Sequence, residues 1–316
     1  MDRKLLDARG LSAPLLLADV PWLLYRSFFA LPKSIVGADG RAVNALLGTV
    51  NAILSLADTR PPGCAPRAVV ACMGAEQAGY RVALYPAYHA HRDPMPPELA
   101  EQWQQAPGLL ASLGWTFATS AELEADDVMF SFARTEEEAG GRALLLTGDR
   151  DLYGAVSPHV AVAELRKDAA DAEIGPAQVR ERYGVGPELV PDLIALRGDP
   201  SDGLPGAPGV GAKTAAELLR RHGSLEAVLR AAERAGEPGS AAGAASAADA
   251  RMRPRIATAL RENAELLRDF KAIATLQRID VARPPDRLTD FAGGAAAAGE
   301  LGMRRLAERL EGLATA

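Results

Sequence analysis

The chain has 316 residues, 48% of them hydrophobic and 24% charged, enough to bury a sizeable core in one large or two smaller domains. Its 35 basic and 41 acidic residues leave a net charge of −6, which excludes non-specific adhesion to nucleic acid over the whole surface but not a local basic track. Cys64 and Cys72 make no disulfide framework, the start Met1-Asp2-Arg3-Lys4-Leu5-Leu6 lacks a signal peptide's apolar core, and no run reaches membrane-spanning length, so a cytoplasmic protein is expected.

Leu15-Leu16-Leu17-Ala18-Asp19 has the pattern of a central parallel strand with a carboxylate at its end. Proline in the first turn suits a helix over Pro21 to Phe29, and a second helical run covers Asn44 to Leu56. The Pro61-Pro62-Gly63 loop leads to a strand at Ala68 to Cys72. Tyr85 to Pro97 is aperiodic and rich in rings, bases and prolines, which predicts an exposed working loop or helical lid. Leu99 to Leu113 reads as helix and Trp115 to Ala118 as a short strand. Val128 to Ala133 then reads as helix, and Ala143 to Leu146 and Val160 to Ala163 as strands. Strand and helix alternation to about residue 165 predicts an α/β fold with a mainly parallel sheet flanked by helices. From Pro176 onward only helical patterns occur, so a domain boundary is expected there, with sheet region 1–175 and helical region 176–316. The Gly/Ala/Ser-rich stretch 235–250 reads as a flexible insertion.

Acids concentrate at two places. Glu124-Ala125-Asp126-Asp127 opens one helix, and Thr147-Gly148-Asp149-Arg150-Asp151 follows the next strand. Strand ends of open α/β sheets are where ligands bind, and carboxylates gathered there repel one another unless hard divalent cations with oxygen ligands lie between them. With Asp19, these residues predict a magnesium or manganese site. Two such ions about 4 Å apart suit phosphodiester hydrolysis. Asp199 and Asp202, turn formers in their own right, are placed as a second metal position.

Gly206-Ala207-Pro208-Gly209-Val210-Gly211-Ala212-Lys213-Thr214 is no P-loop, because Ala212 stands where that loop needs glycine before lysine. It reads as a glycine-tight hairpin between helices whose amides face a backbone phosphate without touching a base. Lys213, Arg220, Arg221 and His222 form the most nucleic-acid-like basic patch. Tyr88, His89, His91 and Arg92 are candidates to stack on an unpaired base and clamp phosphates, with Arg81 and Arg26 beside them.

In this order the motifs resemble the 5′ nuclease (flap endonuclease) family, in its bacterial stand-alone form. The pieces are Asp19 with Leu24-Tyr25-Arg26, Tyr85 through Arg92 to Pro96, Glu124 to Val128, Thr147 to Leu152, and Gly198-Asp199 through Ala215. The resemblance implies a PIN-like nuclease domain with a helical arch at about 80–106, and a helix-hairpin-helix (helix-three-turn-helix) region behind it. By position it implies a metal set of Asp19, Glu124, Asp126 and Asp149 with Asp127 and Asp151 nearby, and Asp199 and Asp202 at a second site. Arg81, His89 and Arg92 would steady the scissile phosphate. Arg26, Tyr88, Gly206, Gly209, Gly211, Lys213 and Thr214 would hold DNA, with potassium at the hairpin.

The implied activity is Mg2+- or Mn2+-dependent 5′-3′ exonuclease and 5′-flap endonuclease action in replication and repair. Its substrates would be DNA with flaps, nicks or 5′ ends, RNA-primed DNA among them, with no membrane and no obligate protein partner. Three departures from the family pattern predict slower or pH-shifted turnover. Cys72 stands for an expected aspartate unless Glu76 substitutes, Val20-Pro21-Trp22 replaces a Gly-Asn or Gly-Ser pair, and His89 replaces a lysine. A branched-DNA-binding protein with impaired cleavage and a PIN-type ribonuclease are the competing readings.

Overall fold

The computed structural model describes residues 13–58, 65–165, 173–235 and 252–315. Cys64, the Pro61-Pro62-Gly63 loop and all but the first residue of the expected insertion 235–250 lie outside the described residues. The sheet comprises β1 (Leu15–Asp19), β2 (Ala68–Cys72), β3 (Thr116–Ala118), β4 (Ala143–Leu146), β5 (Val160–Ala163) and β6 (Glu173–Ile174). Its spatial order is β3-β2-β1-β4-β5-β6, parallel throughout except for the antiparallel β6. β1, β2 and β4 are buried along their whole length, as continuous apolar runs in a two-sided parallel sheet require.

In chain order the helices are α1 (Val20–Ala30), α2 (Asn44–Ala57), α3 (Gly79–Leu84), α4 (Pro97–Ser112), α5 (Ala125–Glu138), α6 (Pro176–Tyr183) and α7 (Val190–Arg197). They continue with α8 (Ala212–His222), α9 (Leu225–Arg234), α10 (Pro254–Glu262), α11 (Ala264–Ala274), α12 (Phe291–Glu300) and α13 (Arg304–Ala314). Strand alternation divides the core. Leu15, Leu17 and Val70 face one side with residues of α5 and of α7 to α11, while Leu16, Ala18 and Val69 face the other with residues of α1, α2, α4, α12 and α13. No described helix is long and apolar enough to cross a membrane.

The chain leaves β1 towards β2 on one side and returns through α5 to β4 on the other. The order therefore reverses between β1 and β4, and a crevice opens at their carboxyl ends. The arch expected over about 80–106 is not a single helix. α3 ends at Leu84, hydrogen-bonded turns occupy 85–92, and α4 starts only at Pro97. Pro86, Pro94 and Pro96 remove amide donors and turn their preceding residues away from helical geometry.

Candidate active site

Asp19 ends β1 and caps α1, accepting the Trp22 N–H on Oδ1 at 3.1 Å. Its other oxygen accepts the Thr147 hydroxyl at 2.7 Å, and Thr147 Oγ1 in turn accepts the Asp149 N–H at 2.9 Å. Asp149 Oδ1 accepts the Asp151 N–H at 2.9 Å. The two strands that flank the switch point thus present their acids to one another through a buried threonine. Trp22 closes this turn from outside: a Cβ on Gly148 would stand 2.1 Å from Trp22 Cζ2, so the indole lies directly on the glycine backbone. Arg26, exposed, lies over the Trp22 ring at 5.7 Å from its centroid.

A cavity of about 870 Å³ lies above these residues. It brings together Asp19, Glu124, Asp126, Asp149, Asp151 and Asp202 with Arg81, Tyr88, His89 and Arg92. Trp22, Tyr25, Phe29, Met95 and Trp103 form an apolar wall opposite. Glu76 also lines it. Burial raises the Asp19 carboxyl to about 6, against the pull of its bonds to Thr147 and Trp22. Desolvation inside the cavity, with Asp126, Asp202 and Asp19 near, pushes Asp149 up to about 7, although solvent reaches its side chain through the cavity mouth. Asp151 is raised well above its ordinary value by burial and by Asp149, Asp202 and Asp199. Asp202 goes the other way: burial opposes its charge, but His89 and Arg92 outweigh it.

Several residues stand elsewhere than the sequence suggested. Asp127 does not line the cavity. Next to Asp126 on a helix, it points about 100° away and is 0% exposed, bonded to Arg81 and to the Gln277 N–H at 2.7 Å. Arg81 is 2% exposed and bonded to acids, so it is not a free phosphate ligand. Tyr88 is 4% exposed and donates its hydroxyl to Glu124 Oε2 at 3.0 Å, which removes it from base stacking. Asp199 lies outside the cavity, accepting the Ser201 N–H at 2.9 Å, and only Asp202 of that pair reaches in.

Gly206 is buried against Gly198, not offered to a phosphate: its Cβ would stand 2.3 Å from the Gly198 nitrogen. Gly209, Gly211 and Lys213 are exposed, and Thr214 is half-buried, around the start of α8. His89 is buried at φ 56, stacked on Tyr88 at 3.8 Å, and its Nε2 meets Asp202 Oδ1 at 3.0 Å. Arg92, half-exposed, reaches the same oxygen at 3.1 Å. Cys72, the register partner of Asp19, is fully buried, and burial with the neighbouring Asp19 holds its thiol well above the usual range. Just beyond it, a Cβ on Gly74 would meet the Leu123 carbonyl oxygen at 2.4 Å, so no side chain fits there.

Thr147 is the functional residue the sequence reading passed over. The signal was present: a hydroxyl one position before Gly-Asp-x-Asp at a strand end. Among the described residues, no three His, Cys, Asp or Glu side chains are arranged to hold a metal ion as placed.

Two family descriptions match the chain. The 5′-3′ exonuclease N-terminal resolvase-like domain covers residues 14–184, and the 5′-3′ exonuclease C-terminal SAM fold covers 185–289. The sheet, its acid edge and the helical region behind it define a nuclease, and the chain belongs to the 5′-3′ exonuclease family. It is 38% identical over 242 residues to a 5′-3′ exonuclease of Mycobacterium tuberculosis, covering 70% of this chain and 74% of that one. To DNA polymerase I of Mycobacterium bovis it is 35% identical over 277 residues, 87% of this chain but only 28% of the polymerase. The fold is shared with the flap endonuclease of bacteriophage T5, solved as a pseudo-enzyme-product complex with DNA and metal ions. That match has a TM-score of 0.61 and 18% identity, and covers 96% of this chain and 100% of that one.

Proposed function

We propose that the chain is a divalent-metal-dependent 5′-3′ exonuclease and structure-specific 5′-flap endonuclease acting on DNA. One observation carries this reading: carboxylates from separate segments, Asp19, Glu124 with Asp126, Asp149 with Asp151, and Asp202, line one cavity at the sheet's switch point. The donor set suits hard cations. All are oxygen ligands, and burial together with neighbouring carboxylates raises the Asp19, Asp149 and Asp151 carboxyls above their ordinary range, a strain that a cation beside them would relieve.

Asp19, Asp126, Asp149, Asp151 and Asp202, with Glu124, would hold Mg2+ or Mn2+. When bound, such ions supply a lowered pKa for water and charge stabilisation at the phosphodiester. The chain's own residues do the rest. Trp22 and Thr147 fix Asp19, Thr147 fixes the Asp149 backbone, and Arg92, exposed at the cavity rim and bonded to Asp202, would orient a phosphate. Trp22, Tyr25 and Phe29 would give the substrate an apolar face beside the acids. From Pro176 the helical region would grip duplex through Gly209, Gly211, Lys213 and Thr214, with K+ at the hairpin, so that junction structure and not base sequence sets the cut.

The test is a labelled 5′-flap DNA incubated with and without Mn2+, beside single-stranded RNA. Metal-dependent flap cleavage with intact RNA is expected; RNA cleavage alone would select a ribonuclease. Asp149→Asn should abolish cleavage while branched-DNA binding stays, and unchanged turnover in that variant would remove the metal role. Binding without cleavage in either Mg2+ or Mn2+ would select a junction-binding protein.

A further inference from the structure

Several arginines near the acid edge are committed to carboxylates. Arg81 is enclosed by the α5 acids, Arg92 holds Asp202, and Arg182 of α6 meets both oxygens of Glu164. Arg150 and Arg197 differ. Arg150 stands exposed between Asp149 and Asp151 and enters no ion pair among the described residues. Arg197, half-buried at the end of α7, lies over the Tyr183 ring at 5.0 Å from its centroid. Its Nη2 is 3.4 Å from Asp199 Oδ2, longer than a usual hydrogen bond, so the ring more than the acid fixes this guanidinium. Both cations act on Tyr183: burial raises its phenol, Arg197 and Arg150 pull it down, and Asp151 opposes them. The hydroxyl itself is buried, so Tyr183 supports from beneath and is not offered to a ligand.

The pair stands between the two parts of the proposed DNA site. A Cβ on Gly206 would meet the Arg197 carbonyl carbon at 2.5 Å, and the Ala207 N–H donates to the Leu196 carbonyl at 2.9 Å, so Arg197 abuts the hairpin. On its other side the Arg197 charge reaches Asp151, which lines the cavity. The chain from Asp202 in the cavity to Gly206 in the hairpin spans at most about 14 Å, roughly four base-pair rises of duplex.

We propose that Arg150 and Arg197 form a seat for the sugar-phosphate backbone of duplex DNA between the hairpin and the acid cavity, with Tyr183 as the positioning residue for Arg197. Acids at the sheet edge repel a polyanion, and a duplex leaving the hairpin meets that repulsion within a few nucleotides. Fixed cations at this point offset it. Guanidinium forks match phosphate oxygens, and a backbone contact reads no base, which agrees with a cut set by junction structure.

The inference rests on the DNA-cutting reading above, and binding measured in chelator separates the two. Anisotropy of a labelled 5′-flap duplex over a salt series compares full-length wild type, Arg150→Ala, Arg197→Ala, Arg197→Lys and the double alanine variant. Each alanine should weaken binding about five- to tenfold at about 0.1 M salt and lower the slope of log affinity against log salt by about 0.9, the double by about twice that. Arg197→Lys should keep the slope. A neutral methylphosphonate in the duplex, within about four nucleotides of the junction, should reproduce the loss in wild type and add nothing in the double variant. Weaker binding with an unchanged salt slope overturns the seat, as does a change in Arg197→Ala with none in Arg150→Ala. If Arg197→Ala unfolds, the exposed Arg150 decides: wild-type affinity and slope in Arg150→Ala overturn the proposal. A wild type that binds the flap duplex through both arginines yet cleaves nothing in Mn2+ sinks the nuclease reading and leaves the seat standing.

Discussion

Thr147 donates its hydroxyl to Asp19 at 2.7 Å across 128 residues of sequence, joining the ends of two neighbouring parallel strands. Thr147→Val keeps the shape and removes the bond. It leaves both Asp19 Oδ2 and the Asp149 N–H without this partner, at a cost of about 1–3 kcal/mol in stability. Because the lost bond favours the ionised form, the Asp19 carboxyl will rise further. The acid limb of the pH–rate profile should therefore move to higher pH. An unchanged limb, with denaturation shifted alone, would reduce Thr147 to a packing residue.

Burial holds Asp19 at about 6 in the folded chain against an ordinary 3.8. Between these values the folded state binds more protons than the unfolded one, so metal-free stability falls as pH rises through that window, by on the order of 3 kcal/mol in all. Urea midpoints in chelator at several pH values, for wild type and Asp19→Asn, measure the difference. The variant should lack this part of the slope. Bound Mn2+ favours the ionised carboxylates and should reverse it. A wild-type slope identical to that of Asp19→Asn would refute the assignment.

Gly198 and Gly206 pack back to back at φ 81 and 68, and a Cβ on either meets backbone at 2.3–2.5 Å. Gly206→Ala should lower stability by roughly 2 kcal/mol or more, since neither chain segment can give way. Gly209, at φ 78 with open space around it, should tolerate alanine for about 1 kcal/mol. Lys213→Ala should leave the thermal midpoint unchanged, weaken duplex binding, and reduce the slope of log affinity against log salt by about 0.9. A Lys213→Ala protein with undiminished affinity and salt slope would move the duplex site off α8.

Glu136 is a buried anion between two guanidinium groups. Arg67 Nε donates to Oε1 at 3.0 Å, and Arg283 Nε donates to Oε2 at 2.9 Å. Arg67 also holds Asp286 and the Pro284 carbonyl, so the segment after α11 is fastened to the sheet here. Glu136→Ala strips the buried Arg67 of its inner partner, leaving it only Asp286, and should cost about 3–5 kcal/mol. Turnover per folded molecule should persist, because no cavity acid is touched; a loss of turnover at full folding would contradict this.

The strands were legible because each is a short apolar run, and four of the expected ranges coincide with β1, β2, β4 and β5. Which acids gather was legible too, since Asp19 and Asp149 sit at strand ends and Asp126 in a helix's first turn. The orientation of individual side chains was not. Asp126 and Asp127 look alike in a string of letters, yet the helix turns one into the cavity and the other towards Gln277, 150 residues later. Arg81 and Arg92 both looked like phosphate ligands, but the first is enclosed by the α5 acids and by the Ile273 carbonyl from far along the chain. The fit of Trp22 on Gly148 is of the same kind: neither residue announces it, because the contact joins the start of α1 to the loop after β4, segments far apart in the chain.

His89 and Arg92 both hold Asp202, and the His89 N–H also donates to the Asp202 carbonyl at 3.1 Å. The turn that follows α3 and the loop that leads to α8 are thus fastened at one carboxylate, and neither can swing without dragging the other. In the proposed enzyme, a free 5′ strand pulling on the first and a duplex seated on the second would be felt as a single load at Asp202. A substrate offering only one of them would leave this lever half-engaged.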